Sequence, residues 1–284
     1  MVALDLLPTA AVVGLLLDAE QRVVPAARQA SERIADAADL VASRMRAGGR
    51  VAFVGAGTSG RIAVAEAAEL PGTFGLDRSR VLSRVAGGSS STDHDEDDLT
   101  GARRDRDELA LTGADVLIAV AASGSTPYTL LLGQAARDAA AALIAVVNAP
   151  GSPLAALADV AVEVPVGTEV LRGSTRLTAG TAQKVVLNAL TTAAMVRLGR
   201  VHSDLMIDVE PANAKLRERA VGIVAEIAGC DESLASTALS TCGDSARAAV
   251  LHLLLGLDPE AAKARAAGHS SLRAAIEQGQ VSDR

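Results

Sequence analysis

The chain has 284 residues and a formal net charge of −7 with no basic block, which argues against nucleic acid or an anionic membrane as partner. One Tyr, two Phe and no Trp remove base stacking as a recognition device and require a core of Ala, Val, Leu and Ile. Two cysteines, Cys230 and Cys242, make no disulfide framework and read as small buried apolar residues.

Residues 8–47 read as helical. The apolar stretch Leu6–Leu17 is too short to span a bilayer, and with Asp5 and no Lys or Arg ahead of it makes a poor signal peptide. Pro25 opens a second helix, Ala26–Ala47, which Gly48-Gly49 stops. Arg50–Val54 is a short apolar run, the mark of a buried parallel strand, and a helix over Ser59–Glu69 follows, broken by Pro71-Gly72. The pattern then recurs. Strands are predicted at Val81–Val85, Asp115–Ala121, Leu143–Val147 and Val160–Val164. Helices are predicted at Leu99–Leu109, Pro127–Ala141 and Ala179–Leu198, with a short one after the turn Asn148–Pro153. Val116–Ala136 is uncharged and long enough to span a membrane, but Ser123-Gly124-Ser125-Thr126-Pro127 breaks it as a strand-to-helix loop, so the chain reads as soluble. This alternation predicts an α/β fold, a parallel sheet with helices on both faces. After Ser203 only helical segments remain: Ala212–Ala228, Asp231–Ser240, Ser245–Leu255 and Pro259–Ala267. The expected division is residues 1–203 as a sheet domain with N-terminal helices and 204–284 as a small helical subdomain.

Gly55-Ala56-Gly57-Thr58-Ser59-Gly60 matches the dinucleotide fingerprint, but the next strand ends in Ala86-Gly87-Gly88, without the carboxylate that would hold a ribose. Hydroxyls at Thr58 and Ser59, with the N–H groups of a helix start, suit a sugar or its phosphate better; a tight structural turn is the plain alternative. A second loop, Ser123-Gly124-Ser125-Thr126, offers three hydroxyls before Pro127 and reads as a phosphate cradle or as simple N-capping. A third segment, Gly173-Ser174-Thr175-Arg176, precedes a long helix and could close the site. Loops at the carboxyl ends of neighbouring strands are where an open sheet binds ligands. The candidate binding residues are therefore Gly57, Thr58, Ser59, Gly60, Ser123, Gly124, Ser125, Thr126, Ser174 and Thr175. The acidic run Asp93–Asp98 matches no calcium loop, and no metal site is assigned.

Four segments, GAGTSGR (55–61), AASGSTPY (121–128), GSTRLTAGTAQK (173–184) and DLMIDVEPANAKLRERA (204–220), together resemble the N-acetylmuramic acid 6-phosphate etherases of the SIS superfamily. The resemblance runs from about Leu4 to about Ile276. It implies a five-stranded parallel SIS sheet, a helical C-terminal subdomain, a homodimer with its site near the interface, and a cytoplasmic enzyme of cell-wall amino sugar recycling that acts on a sugar phosphate without a cofactor. It also implies two catalytic glutamates. In this chain they fall on Glu69, as the acid for the departing lactate oxygen, and on Glu96, in Glu96-Asp97-Asp98-Leu99-Thr100-Gly101; Glu66, one turn before Glu69, competes for the first role. Ser125 and Thr178 stand where the family carries basic residues, and the stretch between Gly88 and Glu96 is shortened. Two other readings stay open: an aldose–ketose isomerase with Glu169 as base, and a sugar-phosphate sensor that binds a partner protein.

Overall fold

The computed structural model describes residues 3–88 and 93–282. The chain divides into two compact units, Met1–Ala68 with Ser79–Ala193, and Glu69–Arg78 with Ala194–Arg284.

The first unit opens with α1 (Thr9–Glu20), α2 (Val23–Gln29) and α3 (Ser31–Arg46). The single helix predicted over 26–47 is two. It starts three residues earlier and breaks at Ala30, whose ψ of 7° leaves the helical range. Then come β1 (Val51–Gly55), α4 (Gly57–Phe74), β2 (Val81–Val85), α5 (Leu99–Leu109), β3 (Val116–Ala121), α6 (Pro127–Asp138), β4 (Ala142–Val147), α7 (Pro153–Leu157), β5 (Val160–Glu163) and α8 (Thr178–Arg197). All neighbouring strands are parallel and lie in the order β2-β1-β3-β4-β5. The three central strands are buried at every position, as unbroken runs of Val, Ile, Leu and Ala require when helices cover both faces. Ala52, Leu117 and Leu143 share one register row, Val54, Ala119 and Ala145 the next. Tyr128 and Leu132 on α6 and Leu154 on α7 belong to the same core as these rows.

Two strands are pinned at their starts. Asp115, just before β3, accepts from the backbone N–H and the guanidinium of Arg50, just before β1, at 2.8 and 2.7 Å. It also accepts from the backbone N–H of Thr112 at 2.8 Å. Burial alone would raise this carboxyl, but the hydrogen bonds from Arg50 and Thr112 outweigh it and lower its pKa to about 2.

Helix α4 does not end at Pro71. Leu70 and Phe74, one turn apart, are both buried, and their burial carries the helix one turn past a residue that removes one of its hydrogen bonds. The last turn and a half of α4, from Glu69, and the last turn of α8, from Ala194, belong to the second unit. That unit continues as α9 (Ala214–Ala228), α10 (Glu232–Thr241), α11 (Ala246–Leu255), α12 (Pro259–Gly268) and α13 (Leu272–Ser282). Asn213, Asp231, Ser245 and Asp258 each cap the helix that follows, accepting from its first free N–H groups. Helix α13 has no counterpart among the predicted elements; it is anchored by the fully buried Leu272 and Ala275. Cys230 and Cys242 are free thiols, Cys242 buried in the core of this unit, to which Leu239 and Val250 also belong. Asp208 is clamped between Arg247, which contacts both of its oxygens, and Arg200.

Candidate active site

Strand β1 is followed outward by β2 on one side and β3 on the other, so the topological switch point of the sheet lies between β1 and β3. An open α/β sheet holds its ligand in the crevice at the carboxyl ends of such a pair. Gly55 at the end of β1 is in register with Val120 near the end of β3, which brings the turns after both strands to one edge. Those turns are the Gly-rich sequence and the serine loop.

In the first turn Gly57 has φ +53°, a left-handed conformation that side chains resist. A Cβ at that position would lie 2.5 Å from Oε1 of Glu96. The missing side chain thus lets a carboxylate sit directly over the backbone that opens α4. At Gly60 a Cβ would strike the carbonyl of Gly55, so the turn can close only without one. Thr58 and Ser59 are half-buried in the first turn of the helix. The methyl of Thr58 faces Gly180 on α8, beside the carbonyl of Thr175. The third segment therefore reaches the first through α8. Ser174 closes a local turn, donating its N–H to Leu171.

In the second turn Gly124 is also left-handed, with φ +62°, and rests on Ser152 of the loop after β4. The Ser125 hydroxyl donates to Ser123 Oγ at 3.0 Å at the exposed tip of the loop. Thr126 stands at the N-cap of α6 but its side chain caps nothing, so the plain capping reading of this loop fails. Ser123 and Ser125 are exposed and Thr126 half-buried at the start of α6, and hydroxyls beside a helix N-terminus suit an oxyanion.

The carboxylates sort themselves by environment. Glu96 lies in a 3-10 turn (93–97) against Gly57. Asp98, at the end of the acidic run, caps α5 through the N–H groups of Thr100 and Gly101. Residues 89–92 of the shortened stretch lie outside the described residues. Glu66 is 4% exposed, and Lys184 Nζ at 2.6 Å and Thr191 Oγ1 at 2.5 Å occupy its two oxygens. It ties α4 to α8, whereas Glu69 in the next turn of α4 is exposed and belongs to the second unit. Glu169 accepts from the N–H groups of Thr178 and Ala179 at 3.1 and 2.9 Å, capping α8 while buried. Both its oxygens are held by that helix start, which deprives the isomerase reading of its base. Thr178 is 1% exposed in the same cap.

Three residues of α8 carry no role in the sequence reading, although the AGTAQK motif is its most specific signal. Gly180 packs on Thr58, Lys184 pairs with Glu66, and Gln183 donates to Asn148 Oδ1 at 2.9 Å just past β4. Asn148 in turn donates to the carbonyl of Val164 at 2.9 Å. Among the described residues the Oε1 of Gln183 and the hydroxyl of Ser152 are sealed from solvent without a partner. Tyr128, at the end of the serine motif, donates to Asp105 at 2.5 Å; burial first, and this carboxylate second, push its phenol upward.

A doubly covered parallel sheet with hydroxyl-bearing turns at its switch point is the architecture of a SIS domain, and the SIS domain family model matches residues 18–148. A phosphoheptose isomerase from Francisella tularensis shares the fold, with a TM-score of 0.51 and 19% identity over 69% of this chain and 100% of that one. Similarity to full-length proteins is much stronger. The N-acetylmuramic acid 6-phosphate etherase of Rubrobacter xylanophilus is 43% identical over 97% of this chain and 93% of its own. That of Aliivibrio fischeri strain MJ11 is 41% identical over 94% and 90%. The chain belongs to the N-acetylmuramic acid 6-phosphate etherase family.

Proposed function

We propose that this protein cleaves the D-lactyl ether of N-acetylmuramic acid 6-phosphate, releasing D-lactate and N-acetylglucosamine 6-phosphate. The observation that carries the reading is family membership over nearly the whole chain, joined to a carboxylate, Glu96, held over the Gly-rich turn at the switch point. The chemistry is elimination next to a carbonyl followed by addition of water. A base removes the proton on C2, an acid protonates the departing lactate oxygen, and water then takes the vacated position. The ether C–O bond breaks with its electron pair leaving on lactate and a new C–O bond forms from water, with no net change of oxidation state, so no redox cofactor enters the scheme. In the proposal Glu96 is the base and Glu69 the acid, the pair of proton acceptor and proton donor that elimination next to a carbonyl needs. The hydroxyls of Ser123 and Ser125, with Thr126, Thr58 and Ser59, bind the phosphosugar, and Gly57, Gly60 and Gly124 allow their turns to approach it. Thr175 and Ser174 close the site from the start of α8.

In this reading residues 1–203 carry the sugar-phosphate domain and 204–284 the helical subdomain. The protein works in the cytoplasm as a homodimer in cell-wall amino sugar recycling. Among the described residues, no helix is long and apolar enough to cross a membrane.

The deciding experiment incubates the pure protein with N-acetylmuramic acid 6-phosphate and measures D-lactate. Lactate release is expected, and Glu69→Gln should abolish it while leaving phosphosugar binding nearly intact. No lactate, alongside tight binding of a hexosamine 6-phosphate, would sink the etherase reading in favour of a sensor.

A further inference from the structure

We infer that α1 is an exchanged arm that docks on a second copy of this chain. The inference deepens the dimer named above and rests on it; it is independent of the reaction.

Helix α1 reads TAAVVGLLLDAE, with no charge before Asp18, and none of its side chains is buried. Val13 and Leu17 are 48% and 64% exposed, and Leu6 and Val24 on either side are 79% and 58% exposed. At 100° per residue, Val12, Val13, Leu15, Leu16 and Leu17 cover a little more than half of the circumference and Ala10, Ala11, Gly14 and Asp18 the rest, so no broad polar face is available to turn outward. A helix apolar on every side is normally one enclosed by protein. Helix α3 shows the contrast: it is amphipathic and buries Ile34, Ala37, Val41 and Met45. Gly14 has open space where a side chain would stand, so the middle of α1 is uncovered within this chain.

The chemistry of the patch selects the occupant. A helix lying on an anionic bilayer needs basic residues along a polar face, whereas the charges around α1 are Asp5, Asp18, Glu20 and a single arginine, Arg22, whose guanidinium donates to the carbonyls of Ala19 and Thr168 at the end of the helix. Its 12 residues span about 18 Å, short of the roughly 30 Å of a hydrocarbon core. A second copy satisfies the area requirement. A helix about 18 Å long and about 10–12 Å wide has roughly 600 Å² of lateral surface. If half of that is open, two arms and the two surfaces that receive them bury about 1,200 Å², the lower bound for a specific interface, because two-fold symmetry counts the patch twice. Leu6 and Val24 extend it.

The test is the solution mass of the full chain and of the double variant Val13→Asp/Leu17→Asp, by light scattering at micromolar concentration with far-UV circular dichroism alongside. The wild type should have the mass of two chains and the folded variant that of one, with association weakened at least tenfold. A variant that keeps the two-chain mass overturns the arm and spares the dimer. A wild type with the mass of one chain overturns both and leaves the lactate assay to judge the reaction. Should the variant not fold, Leu17→Cys in a Cys230→Ala background, labelled with benzophenone maleimide and irradiated, decides: a two-chain product supports the arm and its absence overturns it. Wild type that pellets with phosphatidylglycerol vesicles as a single chain assigns α1 to a lipid surface instead and also overturns the arm.

Discussion

Gly57 is where a missing side chain does the most. Its φ of +53° and the carboxylate of Glu96 in the space of its absent Cβ couple the shape of the turn to the placement of a candidate base. Gly57→Ala should therefore cost about 2 kcal/mol of stability from the left-handed backbone. It should also cost at least tenfold in turnover, because the new methyl displaces Glu96. A thermal melt and a lactate assay together separate the two effects; loss of stability with undiminished turnover would show that Glu96 need not sit there. Glu96→Gln keeps the shape and removes the basicity, so lactate release should fall by about 10² to 10⁴ with binding of N-acetylglucosamine 6-phosphate little changed. In the sequence Glu96 stands out only by resemblance, within a run of six acidic or His residues. What distinguishes it from Asp98 two residues later is three-dimensional: one carboxylate faces a glycine of another loop, the other caps its own helix.

At the scale of elements, the candidate site depends on β1 and β3 ending level. Their carboxyl ends carry the turns, but their register is locked at the opposite end, where Asp115 joins Arg50. Asp115→Ala leaves the Arg50 guanidinium and two backbone N–H groups without their acceptor and should destabilise the protein by roughly 3–5 kcal/mol, read as a lower urea midpoint. The same contact sets an acid limit. Asp115 has a pKa of about 2 in the folded protein, below the ordinary value of 3.8. Its contribution is thus complete above about pH 4 and is lost as the pH falls from about 4 towards 2. Urea titrations at pH 5 and pH 3 should show wild type losing more stability than Asp115→Asn over that interval; equal losses would remove Asp115 as the cause. Element boundaries follow the same division between local and distant causes. Leu99–Leu109 and Val81–Val85 are legible in the sequence to the residue because local chemistry marks an end of each, the Asp98 cap at the start of the helix and Ala86-Gly87-Gly88 after the strand. Pro71 is a local breaker that burial of Leu70 and Phe74 overrides, and no local pattern announces that.

Over the whole molecule, the two units have separate cores, and each has its own reporter. The only tyrosine, Tyr128, lies fully buried in the first; Cys242 lies fully buried in the second. Burial raises the Cys242 thiol and keeps reagents from it. A disulfide reagent at pH 8 should therefore modify Cys230 first, and Cys242 only at the urea concentration that unfolds the second unit. Reaction of both thiols in the native protein at one rate would contradict the buried placement. Comparing that midpoint with the loss of the tyrosine near-UV signal measures whether the units unfold together.

Composition and pattern by themselves determined the class of the protein: an aromatic-poor, acidic chain with alternating apolar strands and helices has little choice but a parallel sheet covered on both faces. They also marked the two turns that follow β1 and β3, because glycine, serine and threonine at strand-to-helix junctions are readable locally. What only the tertiary structure decided is which polar groups remain available. Glu66 and Glu169 look like candidates in one dimension, yet each is buried with both oxygens bonded, one to Lys184 and Thr191 and one to the start of α8. Their partners lie between 9 and 125 residues away. The availability of a carboxylate depends on what else reaches it through space, and the order of residues along the chain does not contain that information.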